Sequence, residues 1–296
     1  MNVARALLAR ARAGGATTLA VVGTSKNAGK SVVVAALARE CERVGEAYAL
    51  ASIGRDGEAV DALDAAPKPR FYLRPGACVA TAAALVPRTP ALEIVRVTEE
   101  RSALGAIVLA RVRAPGFVEL AGPPRASALR RIVWELQTYA PLVIVDGAVD
   151  RIAALRDGDD AIVVAVGAAS APTLARAVDD VAALVARLAL PAVGDASDPV
   201  RVAGALTARL MADHARAFGR TRPLVVADPT HVVFGGRTLL ELLARVDLRC
   251  ERTLRPIACT VAPFGRERAF EPRAFARAVA ERTGLPTYDV FAQSVA

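Results

Sequence analysis

Short apolar runs alternate along the chain with stretches in which apolar residues recur at helical spacing. The runs lack polar alternation, so they predict strands that are buried on both faces of a sheet. The predicted strands are residues 17–22, 47–53, 142–145, 161–166, 223–226 and 257–261. The predicted helices are residues 31–44, 127–139, 173–188, 200–218 and 272–282. Strands separated by helices indicate an α/β fold of three layers, in which helices cover both faces of a mostly parallel sheet.

One stretch interrupts this alternation. Residues 92–98 and 105–112 alternate between apolar and polar positions on either side of a polar turn at residues 99–101. This pattern predicts an inserted β-hairpin, within an excursion over about residues 90–123. The sequence shows no internal repeat and no separating linker, so it predicts a single domain over residues 1–296.

The charged residues are mostly arginines that are scattered along the chain. The formal net charge is +8, and of 38 basic residues only Lys26, Lys30 and Lys68 are lysines. No dense basic run is present, so the charge pattern does not favour nucleic acid as a partner. Two of the three lysines share one short loop, where a compact ammonium suits a tight anion site better than the wide guanidinium of Arg.

Cysteine usage and hydropathy favour a cytoplasmic protein. The four cysteines form no CxxC pair, and the two histidines are isolated, so we expect buried free thiols and no zinc site. The longest uncharged run, residues 161–175, is too short to span a membrane. Residues 1–16 fit an amphipathic helix carrying arginines, which we interpret as a docking helix rather than a targeting presequence.

A candidate phosphate-binding loop joins the first predicted strand to the first predicted helix. It consists of Gly23, Thr24, Ser25, Lys26, Asn27, Ala28, Gly29, Lys30 and Ser31, and Val32 continues the helix. A strand, a glycine-containing loop and a helix in this order are the context that a phosphate loop requires. Backbone N–H groups and the helix N-terminus would hold a phosphate group, and the ammonium of Lys30 would neutralise its oxygens.

The spacing of this loop differs from the strict phosphate-loop template. Five residues separate Gly23 from Gly29, where the template has four, and Thr24 occupies the usual position of the first glycine. The sequence Gly29-Lys30-Ser31 still places a hydroxyl directly after the lysine, where it can bind Mg²⁺. We therefore predict that the chain binds a nucleotide together with Mg²⁺.

Two acidic residues are candidates for the magnesium site. Together with Lys30 they are also the candidate catalytic residues. Asp146 ends the apolar run at residues 142–145, which places its carboxylate at the edge of the sheet where open α/β sheets bind ligands. Asp56 follows the second predicted strand within the segment 52–58, and we predict that it contacts Mg²⁺ in response to the terminal phosphate. Arg55 or Glu58 would orient water or a partner, although a solvated turn remains an alternative interpretation of this segment.

The loop resembles that of dethiobiotin synthetase and the cobyrinate amide synthases, a branch of the P-loop NTPases. Four segments carry a fuller resemblance, and they are residues 22–30 (VGTSKNAGK), 52–58 (SIGRDGE), 118–123 (VELAGP) and 143–148 (VIVDGA). In this order they resemble segments of the KamB-type reactivase subunit associated with lysine 5,6-aminomutase. Related proteins tend to have Asn before the proline at position 263, where this chain has Ala262, so the resemblance does not fix the base of the nucleotide.

The resemblance implies an ATP-dependent chaperone of an adenosylcobalamin- and pyridoxal-phosphate-dependent aminomutase. Such a protein helps to exchange damaged cobalamin for intact cofactor, with a second reactivase subunit as a further partner. The sequence does not give the oligomeric state, and a homo-oligomer is one open alternative. The alternative is an ATP-dependent carboxylate ligase of the dethiobiotin synthetase or cobyrinate diamide synthase type. Those enzymes carry a Lys-Pro pair after the second strand, where this chain has Gly54-Arg55. A nucleotide-binding scaffold without hydrolysis is a third interpretation.

Overall fold

A computed structural model describes residues 2–54, 70–88, 91–147, 160–195, 198–213 and 222–292. The helices are α1 Val3–Ala13, α2 Lys30–Val44, α3 Ala126–Leu136, α4 Leu174–Leu188, α5 Ala208–Asp213, α6 Gly236–Leu243 and α7 Pro272–Thr283. The first strands are β1 Thr18–Gly23, β2 Tyr48–Ser52, β3 Arg70–Leu73, β4 Cys78–Ala82, β5 Leu92–Ser102, β6 Gly105–Val112 and β7 Gly116–Glu119. The others are β8 Leu142–Asp146, β9 Asp160–Gly167, β10 Val200–Arg201, β11 Leu224–Val226, β12 Leu248–Cys250, β13 Arg255–Ala262 and β14 Thr287–Asp289.

Within the described residues, a mostly parallel sheet of nine strands is flanked by helices, which confirms the predicted α/β fold class. Its strands β1, β8, β9 and β13 are almost entirely buried, as their unbroken apolar sequences require. The chain forms two compact units. One comprises Met1–Val21 and Lys30–Leu155, and the other comprises Val22–Gly29 and Arg156–Ala296.

The first unit is built around the parallel strands β1, β8 and β2. Strand β8 pairs with β1 on one side and with β2 on the other, and β2 continues to β4. Helix α1 buries Leu7 and Leu8, so its apolar face is covered within the described chain. Strands β5 and β6 form an antiparallel hairpin that pairs with β4 through β6.

The turn of the predicted hairpin is displaced. Strand β5 continues through residues 99–101 to Ser102, where the sequence predicts the turn. The hydroxyl of Ser102 accepts a hydrogen bond from the Leu104 N–H at 3.1 Å, and Gly105 has a φ of 105°. These residues make the tight reversal, because glycine adopts positive φ without strain. A register shift between Val97 and Arg101 takes up the additional polar residues.

The second unit contains a further parallel sheet, β10-β11-β12, with its own apolar core. The helix predicted over residues 200–218 is wrong at its start. The N–H groups of Val200 and Val202 instead donate to Pro223 and Val225 at 2.9 and 2.8 Å, and Gly204 has a φ of 97°. Backbone pairing along β11 therefore displaces the helix to α5, and residues 214–218 lie outside the described residues.

The four cysteines lie in the interior of the protein. Cys41, Cys78, Cys250 and Cys259 are buried and free, as predicted. In the part of the chain that the structure describes, no helix combines the length and the apolar character needed to cross a bilayer.

Candidate functional site

The loop after β1 is held in a defined backbone conformation. The N–H of Thr24 donates to the carbonyl of Ala165 at 3.0 Å, and the hydroxyl of Ser25 donates to the carbonyl of Lys26 at 2.8 Å. Asn27 and Gly29 have positive φ values of 61° and 90°. Asn and Gly are the residue types that tolerate this region best, so the local sequence suits a loop that turns sharply before the helix.

Small residues of the second unit lie directly against this loop. A Cβ atom added at Gly167 would lie 2.9 Å from the carbonyl oxygen of Asn27 and 3.1 Å from the Cα of Ala28. A Cβ atom at Gly29 would lie 3.0 Å from the Cβ of Ala262. The close packing therefore depends on glycine at both positions, and the sequence pattern alone did not single out Gly167 as a neighbour of the loop.

Lys30 and Ser31 occupy the first two positions of α2, and Val32 follows in the same turn. The first N–H groups of a helix lack partners within the helix, and they carry a partial positive charge. This end of α2 is therefore favourable for an anion, and the Lys30 ammonium adds a full positive charge. Both side chains are partly exposed, which leaves them within reach of a ligand.

Asp146 lies at the carboxyl end of β8, between two parallel neighbours. It is opposite Val21 of β1 and Ser52 of β2, and the Gly147 N–H donates to the Val21 carbonyl at 3.0 Å. The Asp146 carboxylate accepts a hydrogen bond from the Ser31 side chain. The first unit thus brings together Lys30, Ser31 and Asp146.

Burial and mutual attraction set the charges of this group. Burial lowers the pKa of Lys30, and the nearby Asp146 carboxylate opposes that effect. Burial raises the pKa of Asp146 to about 6, although the Lys30 charge and the Ser31 hydrogen bond both lower it. At neutral pH the Asp146 carboxylate is therefore mostly ionised, and its charge favours the ammonium form of Lys30.

The oxygen atoms of Ser31 and Asp146 fit a magnesium ion. Mg²⁺ prefers hard oxygen ligands, and it is usually bound by one or two protein groups together with water and substrate phosphates. Among the described residues, no cluster of three or more His, Cys, Asp or Glu side chains could hold a metal by itself. Ser31 and Asp146 therefore supply two oxygen ligands of the type that Mg²⁺ prefers.

The predicted loop residues are divided between the two units, and the predicted residues after β2 lie outside the described part of the chain. Residues 23–29 of the loop belong to the second unit, and Lys30, Ser31 and Val32 belong to the first. Asp56, Arg55 and Glu58 lie outside the described residues. Their predicted roles in Mg²⁺ binding and in orienting water stay predictions.

Comparison of the chain with family models, with curated proteins and with solved structures gave no match.

Proposed function

We propose that the chain binds ATP with Mg²⁺ through the loop at residues 23–31 and Asp146, and hydrolyses the nucleotide. The observation that supports this most is the grouping of Lys30, Ser31 and Asp146 where a strand, a glycine-containing loop and a helix follow one another. The ammonium would neutralise the outer phosphates, while the backbone amides of the loop would bind their oxygens.

In this proposal Ser31 and Asp146 hold the magnesium ion. The ion, when bound, would neutralise charge that develops on the phosphate oxygens during cleavage. The protein side chains fix the position of the nucleotide, since Ser31 is part of α2 and Asp146 is part of the buried β8. Positioning and electrostatic stabilisation are the main contributions of proteins to phosphoryl transfer.

We further propose that hydrolysis serves a chaperone function toward an adenosylcobalamin-dependent aminomutase. The partner is suggested by the sequence resemblance over residues 22–30, 52–58, 118–123 and 143–148. The first unit also has exposed apolar side chains, which are the type of group on which a protein partner docks. They are Tyr72, Ile94, Val97, Phe117 and Trp134.

Phosphate release from Mg-ATP by the purified protein tests this function. We expect slow release by the protein alone and faster release after an adenosylcobalamin-dependent aminomutase is added, because a chaperone couples hydrolysis to its partner. Release that requires a small carboxylate substrate would instead support a ligase. Binding of ATP without release under either condition would leave only a scaffold function and contradict the proposed hydrolysis.

The affinity for Mg-ATP should depend on pH through Asp146. Its pKa of about 6 means that the carboxylate is ionised at pH 7.5 and mostly protonated at pH 5. Since Mg²⁺ binds the ionised form, the affinity should fall roughly tenfold over this range. Calorimetric titrations at several pH values measure this change.

The matched control for the pH series is Asp146→Asn. An amide cannot titrate, so this variant should bind Mg-ATP more weakly at pH 7.5 and retain only the pH dependence that arises from ATP itself. Equal pH profiles for the two proteins would exclude Asp146 as the titrating group.

A further inference from the structure

Two exposed phenylalanines lie side by side in the second unit. Phe264 and Phe291 are 57% and 47% exposed, and their ring centroids are 6.0 Å apart with the ring planes inclined at 46°. Aromatic rings of this size contribute strongly when they are buried, so leaving two of them in water forgoes a favourable contact. A pair of exposed rings therefore indicates a surface that a ligand covers.

The backbone around both rings is well fixed by hydrogen bonds. Phe264 forms an antiparallel bridge with Ala269, and the N–H of Gly265 donates to the Arg268 carbonyl at 2.8 Å. The N–H of Phe291 donates to the carboxylate of Asp289 at 2.8 Å. The rings are thus presented by ordered turns, which means that little conformational entropy is lost when a ligand packs on them.

The aromatic pair adjoins the phosphate loop within the same unit. A Cβ atom at Gly29 would lie 3.0 Å from the Cβ of Ala262 and 3.7 Å from the Cγ2 of Val290. Ala262 is two residues before Phe264, and Val290 immediately precedes Phe291. The two residues that lie nearest to this added Cβ atom are therefore within two residues of the exposed rings.

The topology also places the pair at a ligand-binding edge. Strands β13 and β14 are parallel neighbours, with Val261 opposite Asp289, and each strand ends shortly before one of the rings. Ligands of open α/β sheets bind outside the carboxyl ends of the strands. A nucleotide whose phosphates contact residues 23–29 would have this edge of the same unit available for its base.

We propose that Phe264 and Phe291 form the platform on which the base of the nucleotide stacks. This inference rests on the proposed nucleotide-binding function, and it names the residues that would contact the base. A base held between two parallel rings would need about 7 Å, because carbon atoms in contact are about 3.5 Å apart. The observed separation of 6.0 Å therefore indicates a base that packs across the outer side of the pair.

The test compares two ligands that share phosphates but differ in the base. Mg-ATP and Mg-tripolyphosphate are titrated calorimetrically into the wild-type chain and the variants Phe264→Ala, Phe291→Ala and Phe291→Tyr. Stacking of one base on an aromatic ring is commonly worth a factor of about ten to a hundred in affinity. We expect each alanine variant to bind ATP more weakly by such a factor and to bind tripolyphosphate as the wild type does.

The controls separate a base site from a general effect. Phe291→Tyr keeps an aromatic face and should retain ATP affinity. Val233→Ala removes another exposed apolar side chain of the second unit and should change neither titration. Unchanged ATP affinity in both alanine variants, or an equal loss for the two ligands, would overturn the base platform while leaving the phosphate site in place. A wild-type chain that bound neither ligand would contradict both this inference and the proposed function. If the alanine variants kept their affinity for ATP but no longer bound the aminomutase, the base platform would be wrong and the two rings would belong to a protein interface.

Discussion

Replacing Lys30 with alanine is expected to weaken the binding of Mg-ATP at least about a hundredfold and to leave the fold intact. The side chain lies at the start of α2 beside Asp146, so its removal leaves a carboxylate facing the position proposed for the phosphates. The variant loses the attractive charge and leaves a repulsive one in place. The fold should persist, because Lys30 is partly exposed and contributes little to the apolar core.

Calorimetry measures this effect, and circular dichroism of the same samples reports the fold. Arg39→Ala is the matched control, since it removes another cation from α2 at an exposed position outside the loop. Its affinity should stay close to that of the wild type. Full affinity in the Lys30→Ala variant would remove this lysine from the site.

The second large effect is expected on stability, from a substitution of Gly122 in the segment 118–123. A Cβ atom at this position would lie 1.6 Å from the carbonyl oxygen of Ser52 and 2.4 Å from its carbonyl carbon. Both contacts are with backbone, so relief requires movement of the chain that follows β2. We expect Gly122→Ala to reduce the free energy of unfolding by about 3 kcal/mol or more, or to prevent folding.

This substitution also bears on the candidate site. The N–H of Ile53 donates to the Asp146 carbonyl at 3.3 Å, and the N–H of Gly54 donates to the Pro123 carbonyl at 2.8 Å. A displaced Ser52 would disturb both hydrogen bonds, and with them the backbone beside Asp146. Urea denaturation measures the change in stability.

Gly235→Ala provides the control for this prediction. A Cβ atom at Gly235 meets no atom within 4 Å. Because Gly235 is the N-cap residue of α6, we expect the alanine variant to lose at most about 1 kcal/mol of unfolding free energy. Equal unfolding free energies for Gly122→Ala and the wild type would show that the backbone around Ser52 yields easily.

Local patterns in the sequence were sufficient to predict the fold class and the elements near the loop. Apolar runs without polar alternation predicted the buried strands, and strand β13 extends over residues 257–261 as expected. The helix expected over residues 200–218 shows the limit of such reasoning. Its first residues pair with β11, and that pairing is a tertiary contact that no local pattern reveals.

The candidate site could likewise be predicted only in part from the sequence. The loop and the acidic end of β8 were recognisable, because a phosphate loop and a strand ending in Asp are local features. The roles of Gly122 and Gly167 depend on backbone atoms of Ser52 and Asn27, which are distant in the sequence. The exposure of Phe264 and Phe291 is likewise a property of the folded surface, so their proximity could not be predicted from their positions in the chain.

A crystal structure with Mg²⁺ and a non-hydrolysable ATP analogue tests the central claim most directly. We predict that the phosphates of the analogue contact the backbone amides of residues 25–30 and the Lys30 ammonium, with the metal ion on Ser31 and Asp146. An analogue bound elsewhere on the protein, with protein side chains filling the loop, would contradict the account.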